Sequence, residues 1–196
     1  MSEILILKDR IYNAIQVGES DFREFKSALE GKPDNKKPRL VKKICEDIAE
    51  ALVAFANTDG GELIIGVEDD ATITGVSHSE QDIATMLNAP DTHVYDDHKL
   101  PMVYKHKLVL DEKIILFFQV EKGSSEIYQL RDGRVMRRNE KRATVPASVK
   151  KLQFDRHEIK SREYDRQFVD GAMVNDLDCW RRLKTDHLER LVPIEY

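Results

Sequence analysis

A helix, a sharp turn and a buried strand follow one another in residues 39–67, and this succession constrains the fold more than any other part of the sequence. Apolar residues at helical spacing predict the helix, namely Val41, Ile44, Ile48, Ala51, Leu52 and Phe55. NTDGG, residues 57–61, tolerates positive φ and predicts a turn at the helix end, which Asn57 and Thr58 can cap. ELIIGV, residues 62–67, is rich in β-branched residues and predicts a strand buried on both faces.

The first 38 residues contain weaker structural patterns. Apolar positions within residues 4–15 predict a helix that Gly18 closes as a left-handed cap. DFREFK, residues 21–26, predicts a short strand by alternation. EGKPDNKKP, residues 30–38, has no apolar pattern and is predicted to be a polar loop.

The second half alternates between helical and strand patterns. Ser77 and Glu80 predict a capping box for a helix that ends before Pro90. Two strands are predicted at residues 102–109 and 113–121. A hairpin with Asp132–Gly133 at its tip is expected next, and a further helix is expected after Pro146.

These patterns predict an α+β domain over residues 1–155, with a mixed sheet and packed helices. Residues 156–196 are predicted to form a C-terminal extension with a helix near residues 177–191. Hydrophobic residues make up 41% of the 196, which allows a sizeable core. The sequence has no apolar run of the roughly 20 residues that a membrane helix needs and no signal-peptide pattern, so we expect a cytoplasmic protein without a membrane partner.

The charge of the chain is unevenly distributed. The formal net charge of −5 argues against a protein that coats nucleic acid by bulk charge alone. Basic residues nevertheless cluster in KKPRLVKK, residues 36–43, and in RDGRVMRRNEKR, residues 131–142. The two cysteines lie far apart, and the six histidines show no metal-ligand spacing, so neither residue type indicates a zinc site.

Three acids, Glu19, Asp21 and Glu24, stand beside two phenylalanines, Phe22 and Phe25. Both phenylalanines are expected to be buried or half-buried, which would fix the acids to the scaffold. In a strand, Glu24 and Lys26 share one face. They could equally be an ordinary ion pair on a solvated strand.

Three segments together carry a family resemblance: ESDFREFK (19–26), AFANTDGG (54–61) and IIGVEDD (64–70), with PAS at 146–148. In this order they resemble the Schlafen-type AlbA_2 domain, also called the divergent AAA-4 domain, over about residues 15–155. The resemblance implies a mixed α+β fold that binds nucleic acid. Some vertebrate members cut transfer or ribosomal RNA with three carboxylates, whereas bacterial members usually carry DNA-binding or ATP-binding labels.

Carried over by position, the resemblance makes Glu19, Glu24 and Asp69 the three acids, with Glu68 as the alternative to Asp69. Converging carboxylates repel one another unless a cation neutralises them, and Mg²⁺ or Mn²⁺ does so with oxygen ligands alone. Glu19, Glu24 and Asp69 are therefore the predicted metal ligands and catalytic residues. Lys26 is the fourth predicted catalytic residue, placed to contact a phosphate or to orient water.

The basic clusters supply the predicted phosphate contacts, which give affinity without sequence preference. The predicted nucleic-acid-binding residues are Lys36, Lys37, Arg39, Lys42, Lys43, Arg137 and Arg138. The alternative for each cluster is a solvated charged surface. An ATP-binding function has no support from a GxxxxGK[ST] motif, which the sequence lacks.

The sequence thus predicts a nucleic-acid-binding domain acting as a divalent-metal-dependent endoribonuclease on structured RNA. The alternatives are a non-catalytic DNA-binding regulator, an ATP-binding protein as the family is often labelled, and an interaction module that binds no nucleic acid. A homodimer is expected, because a single lobe provides half of the basic valley that two lobes form in vertebrate members.

Overall fold

The structure is a computed structural model, and it describes residues 3–32, 35–97, 99–123, 126–139 and 143–162. Its elements follow in the order α1 (Glu3–Val17), β1 (Arg23–Lys26), β2 (Leu29–Lys32), β3 (Asn35–Pro38), α2 (Val41–Asn57), β4 (Gly61–Ile65), α3 (Glu80–Leu87), α4 (Ala89–Thr92), β5 (Val103–Leu110), β6 (Lys113–Val120), β7 (Val135–Arg138), β8 (Thr144–Ala147) and α5 (Val149–Arg162). The predicted α+β class is confirmed.

A four-stranded mixed sheet in the order β1-β4-β6-β5 forms the centre of the fold. β1 runs parallel to β4, and the β4–β6 and β6–β5 pairs are antiparallel. Two separate hairpins, β2–β3 and β7–β8, complete the strands. Residues of β4 are buried on both faces, as the run ELIIGV predicts.

Apolar residues pack on both faces of the sheet. On one face, α2 and α3 pack against alternate residues of β4 and β6, including Leu63, Ile65, Leu116 and Phe118. On the other face, Ile11 and Ile15 of α1 pack with Phe25, Ile64 and Phe117. Alternate residues of each strand belong to different clusters, because successive side chains of a strand point to opposite faces of the sheet.

The turn after α2 requires its two glycines. Gly60 has φ +76°, and its amide donates to Phe55 O at 2.8 Å. A Cβ on Gly61 would lie 2.3 Å from the Phe55 ring, so the backbone of the strand can approach the helix only without a side chain there. The predicted capping role of Thr58 is present, since its hydroxyl donates to Ala54 O at 2.8 Å.

Three local predictions differ from the structure. Residues 30–38, predicted to be a loop, contain the β2–β3 hairpin, whose backbone pairing leaves no apolar pattern because both strands are largely exposed. The α3 cap is Ser79 rather than Ser77, and its hydroxyl accepts from Asp82 N. Asp132–Gly133 does form a tight turn, but β7 pairs with β8 rather than with a strand before that turn.

Contacts divide the chain into two units, residues 1–154 and 155–196. The helix predicted near residues 177–191 lies outside the described residues. No helix in the described ranges is both long and apolar enough to cross a membrane.

Candidate functional site

One cleft of about 340 Å³ brings together all four predicted catalytic residues. Glu19 precedes β1, Glu24 and Lys26 lie on β1, and Asp69 follows β4. The parallel pairing of β1 with β4 brings Lys26 and Asp69 together, because the ends of parallel strands lie at the same end of the sheet. Glu19 joins them from the segment before β1 by accepting a hydrogen bond from Phe25 N. The remaining lining residues are Asp47, Glu50 and Ala51 of α2, with Ala143 and Thr144 near the start of β8. These nine residues are called the acidic cleft below.

Glu24 lies at the base of the acidic cleft and is 5% exposed. Lys26 Nζ lies 2.7 Å from its Oε1. Arg138 is bound to its Oε2, and Thr144 Oγ1 donates to the same oxygen at 3.1 Å. Two protein cations therefore neutralise the one carboxylate, which is what makes its burial tolerable.

Arg138 is a buried partner of Glu24 in this arrangement, although the sequence assigns it to nucleic-acid binding. Its side chain is 3% exposed, its guanidinium lies 4.8 Å from the centre of the Phe55 ring, and it donates to Ser20 O at 3.1 Å. A phosphate at the surface would not reach it without displacing these contacts. The neighbouring Arg137 lines a separate, more open cleft with Phe22 and Asp59.

Asp69 and Glu68, the two alternatives for the third acid, have different surroundings. Asp69 is exposed and lines the acidic cleft. Glu68 instead accepts hydrogen bonds from Ser27 at 2.6 Å, Thr74 at 2.7 Å and Lys36 at 2.8 Å. Desolvation acts to raise the pKa of Glu68, but these hydrogen bonds outweigh it and lower the pKa below the ordinary value. Glu68 is therefore a bound, ionised anchor outside the cleft.

Carboxylates outnumber cations in the acidic cleft. Glu19 accepts from Phe25 N at 2.8 Å. Two carboxylates of α2 are also paired, Asp47 with Arg39 at 2.7 Å and Glu50 with Arg134 at 2.5 Å. Desolvation acts to lower the pKa of Lys26, but the attraction of Glu24 and the hydrogen bond that Lys26 donates to it outweigh desolvation and raise that pKa. Lys26 is thus a firmly protonated ammonium at neutral pH.

The acidic cleft suits a hard divalent cation by its donor chemistry, because its ligands are carboxylate oxygens. The arrangement of the side chains does not fit one: both oxygens of Glu24 are held by Lys26, Arg138 and Thr144. Across the described ranges, no group of three or more histidine, cysteine, aspartate or glutamate side chains is placed to hold a metal ion.

The basic residues of the first cluster lie beside the acidic cleft. The β2–β3 hairpin, called the basic hairpin below, is tied to the segment after β4 by the Lys36–Glu68 pair at 2.8 Å. Lys37 is exposed on the same hairpin. Lys42 lies 3.9 Å from Glu46, and Lys43 lies 3.3 Å from Glu30. Arg39 is mostly buried, donating also to Ser27 O at 3.0 Å, so it positions the hairpin rather than facing solvent.

Sequence reasoning missed several residues of this region. Asp47, Glu50 and Ala51 lie three and four residues apart, a spacing that puts them on one face of α2 and could have identified them. Asn57 was expected to cap the helix, but its side chain donates to Tyr128 O at 2.8 Å and Met136 O at 3.0 Å. It thereby ties α2 to the segment that carries Arg138.

Comparison with one solved structure supports this fold. No curated protein matches the chain. The DIP2311 protein from Corynebacterium diphtheriae is similar in fold, with a TM-score of 0.56, 17% identity, and coverage of 76% of this chain and 28% of that one. This chain therefore aligns with little more than a quarter of that protein's length. The N-terminal domain of a RecG-related protein from Nitrosomonas europaea has a TM-score of 0.39 and 18% identity, over 63% of this chain and 76% of that domain.

The family comparison is more specific. The family model described as Schlafen, AlbA_2 matches residues 19–146, which begin at Glu19 and end within β8. The match contains the central sheet, all nine residues of the acidic cleft, the β2–β3 hairpin, and the β7–β8 hairpin except Ala147. The chain belongs to the Schlafen AlbA_2 family.

Proposed function

We propose that this AlbA_2 domain binds nucleic acid, with the sugar–phosphate backbone lying on the basic hairpin at the mouth of the acidic cleft. The observation that carries the proposal is the Lys36–Glu68 pair, because it fixes the hairpin next to Asp69. Lys37 and Lys42 are exposed and contribute positive charge on this side of the cleft. Family membership supports the same function.

Electrostatics favour the hairpin over the cleft interior as the phosphate site. The acidic cleft carries five carboxylates and one ammonium among its lining residues. A phosphate there would meet like charge, whereas lysines on the hairpin attract it and release counterions. The backbone is therefore expected to pass over the hairpin, with the cleft beside it.

The test measures binding of labelled transfer RNA, single-stranded RNA and DNA as a function of salt. Replacing Lys37 and Lys42 together with alanine should weaken binding to every sequence and reduce the slope of log affinity against log salt by about 2, one for each lost phosphate contact. A matched control replaces Lys8 and Lys99, which removes the same charge from α1 and from the segment before β5. Equal losses in the two double variants would contradict the proposed surface.

Divalent-metal-dependent cleavage of structured RNA is the more specific form of the proposal. The convergence of Glu19, Glu24 and Asp69 on one cleft supports it. When bound, Mg²⁺ or Mn²⁺ would supply an activated water and stabilise phosphodiester charge. A metal ion in the cleft would require Glu24 to release one of the groups that hold its two oxygens, and the exposed Asp69 is the first candidate ligand.

The cleavage test compares Asp69→Asn with Asp70→Asn. Asp69 lines the cleft, whereas Asp70 lies outside it and accepts from Thr72 N at 2.9 Å, a hydrogen bond that asparagine can keep. With labelled transfer RNA and Mn²⁺, Asp69→Asn should slow cleavage on the order of 100-fold or more, as removal of one charge-stabilising group does. Asp70→Asn should cut like the parent. Equal rates in the two variants would exclude the acidic cleft as the site.

The non-catalytic alternative is favoured by one observation, the occupation of both Glu24 oxygens by protein groups. Binding of DNA or RNA without cleavage, in Mg²⁺ and in Mn²⁺, would support a DNA-binding regulator instead.

A homodimer stays a prediction of the family resemblance, and light scattering that gives a monomer mass at high concentration would exclude it.

A further inference from the structure

Phe22 is exposed although its backbone is firmly held. Its side chain is 54% exposed, whereas Phe25, three residues later, is 1% exposed, so the expectation that both phenylalanines are buried holds for Phe25 alone. Ser20 and Arg23 exchange backbone hydrogen bonds of 3.0 and 3.2 Å around the two-residue tip Asp21–Phe22. Phe22 O accepts from Glu62 N at 2.8 Å, and Phe22 N donates to Ser20 Oγ at 3.2 Å. The tip is thus rigid, and its aromatic ring faces solvent.

Two clefts meet at the Phe22 ring. The larger, of about 660 Å³, is also lined by Thr58, Asp59 and Arg137. The smaller, of about 400 Å³, includes Gln119 and Lys122. An aromatic face bordered by hydroxyl, amide and charged groups suits a flat, polar-edged heterocycle better than an aliphatic chain, because only the former needs both a stacking surface and hydrogen-bonding partners.

Arg138 connects this region to the acidic cleft. It lines the larger of the two Phe22 clefts, and it binds Glu24 at the base of the acidic cleft. The two sites therefore share one buried arginine, which lines one cleft and binds a residue that lines the other. The two sites are also adjacent in the sequence, because Phe22 lies between Glu19 and Glu24.

We propose that Phe22 is a stacking platform for one unpaired nucleobase of the nucleic acid, so that the preferred ligand is single-stranded or contains an unpaired nucleotide. This inference rests on the proposed function. In a duplex both faces of each base are covered by neighbouring bases, whereas an unpaired base offers a free face to the ring. Stacking of this kind tolerates any base, in keeping with a surface whose other contacts are to phosphate.

The experiment uses the full chain and oligonucleotides of one sequence in three forms, single-stranded RNA, single-stranded DNA and a blunt RNA duplex. The single strands carry 2-aminopurine, whose fluorescence falls on stacking. Phe22→Ala should weaken single-strand binding by about 5- to 100-fold, the range that one base–aromatic stack contributes. It should leave duplex binding unchanged. Phe22→Trp should retain affinity and quenching, because an aromatic face remains.

The matched control is Phe154→Ala, which removes an equally exposed phenylalanine from α5. Circular dichroism and unfolding midpoints establish that each variant is folded. Equal single-strand affinity in wild type and Phe22→Ala would overturn the stacking site while leaving nucleic-acid binding in place. An equal loss on duplex and single strand, or the same loss in Phe154→Ala, would also overturn it. Absence of any binding by the wild type would refute both the stacking site and the proposed function.

Discussion

Glu24 and Glu62 are two buried glutamates on neighbouring strands, and they lie on opposite faces of the same sheet. They are 5% and 8% exposed, and each is bound by two cationic side chains. The β1–β4 register pairs Glu24 with Leu63 and Arg23 with Glu62, so the side chain of Glu62 points to the α1 face and that of Glu24 points to the α2 face. Burial and pairing with two cations therefore do not distinguish Glu24 from Glu62.

Their surroundings do distinguish them. Glu62 is held by Arg10 of α1 and Arg23 of β1, and Arg23 also donates to Ala14 O at 3.3 Å and Gly18 O at 3.2 Å, so this cluster fastens the end of α1 to the sheet. Glu24 shares its cleft with four more carboxylates. A buried ion pair alone is therefore no sign of a functional site, whereas several carboxylates that line one cleft with it make that cleft the candidate.

The largest expected effect is on the Glu24 side. Arg138→Met leaves Glu24 buried with one cation fewer and should lower the free energy of unfolding by about 3 kcal/mol or more, as removal of one partner from a buried pair does. Urea denaturation measures the loss. The double variant Glu24→Met, Arg138→Met should recover most of it, because no buried charge is left unpaired. A double variant as unstable as the single one would mean that Arg138 acts through Phe55 and Ser20 rather than through Glu24.

A smaller effect is expected on the Glu62 side. Arg23→Met should lower the free energy of unfolding by about 1–3 kcal/mol, because two carbonyls at the end of α1 lose a donor while Glu62 keeps Arg10. The matched change Arg10→Met should cost less than about 1 kcal/mol, since the Arg10 side chain is 50% exposed. If Arg23→Met destabilises as much as Arg138→Met, the two clusters are equivalent and the contrast between them fails.

The smallest effect is a difference in alkaline stability. The pKa of Lys26 is raised from its ordinary value of 10.5, so its contribution is complete below that value and is lost as the pH rises through the folded-state pKa. The loss should amount to less than about 1 kcal/mol, because the ammonium is partly solvated. Lys26→Arg should remove this dependence, because arginine stays charged there. Unfolding midpoints measured on both proteins from neutral pH to pH 11 check it, and identical curves would show that Lys26 does not stabilise the Glu24 side.

The sequence predicted those features that depend on local pattern. The periodicity of α2, the glycines after it and the apolar run of β4 each specify one conformation, and all three are present. Strand alternation, which is also a local pattern, predicted that Glu24 and Lys26 share one strand face, where they form an ion pair of 2.7 Å. The family resemblance then selected Glu19 and Asp69, which have no local signal of their own.

What the sequence could not supply is the environment of each charge. Arg137 and Arg138 are adjacent and identical in type, yet one lines an open cleft and the other is buried against Glu24. Phe22 and Phe25 are likewise the same residue type, but Phe22 lies in a two-residue turn that leaves its ring exposed, and Phe25 lies in a strand that buries its ring. The basic hairpin gave no signal because its strands bury nothing. The burial of Arg138 depends on a contact between distant segments, and the hairpin depends on backbone pairing; periodicity of apolar residues records neither.

The bond between Arg138 and Glu24 spans 114 residues of chain, and this has a consequence for the order in which the protein is made. At ribosomal rates of about 5–20 residues per second, roughly 6–23 seconds separate the synthesis of Glu24 from that of Arg138. During that interval Arg138 is not yet available to pair with Glu24, and Glu24 stays hydrated. Burial of Glu24 on the α2 face of the nascent sheet is therefore unfavourable. Glu62 meets both Arg10 and Arg23 as soon as it is synthesised, since both precede it. Every partner of the Glu62 cluster is therefore present early in translation, whereas the acidic cleft is complete only when the last hairpin supplies Arg138 and Thr144.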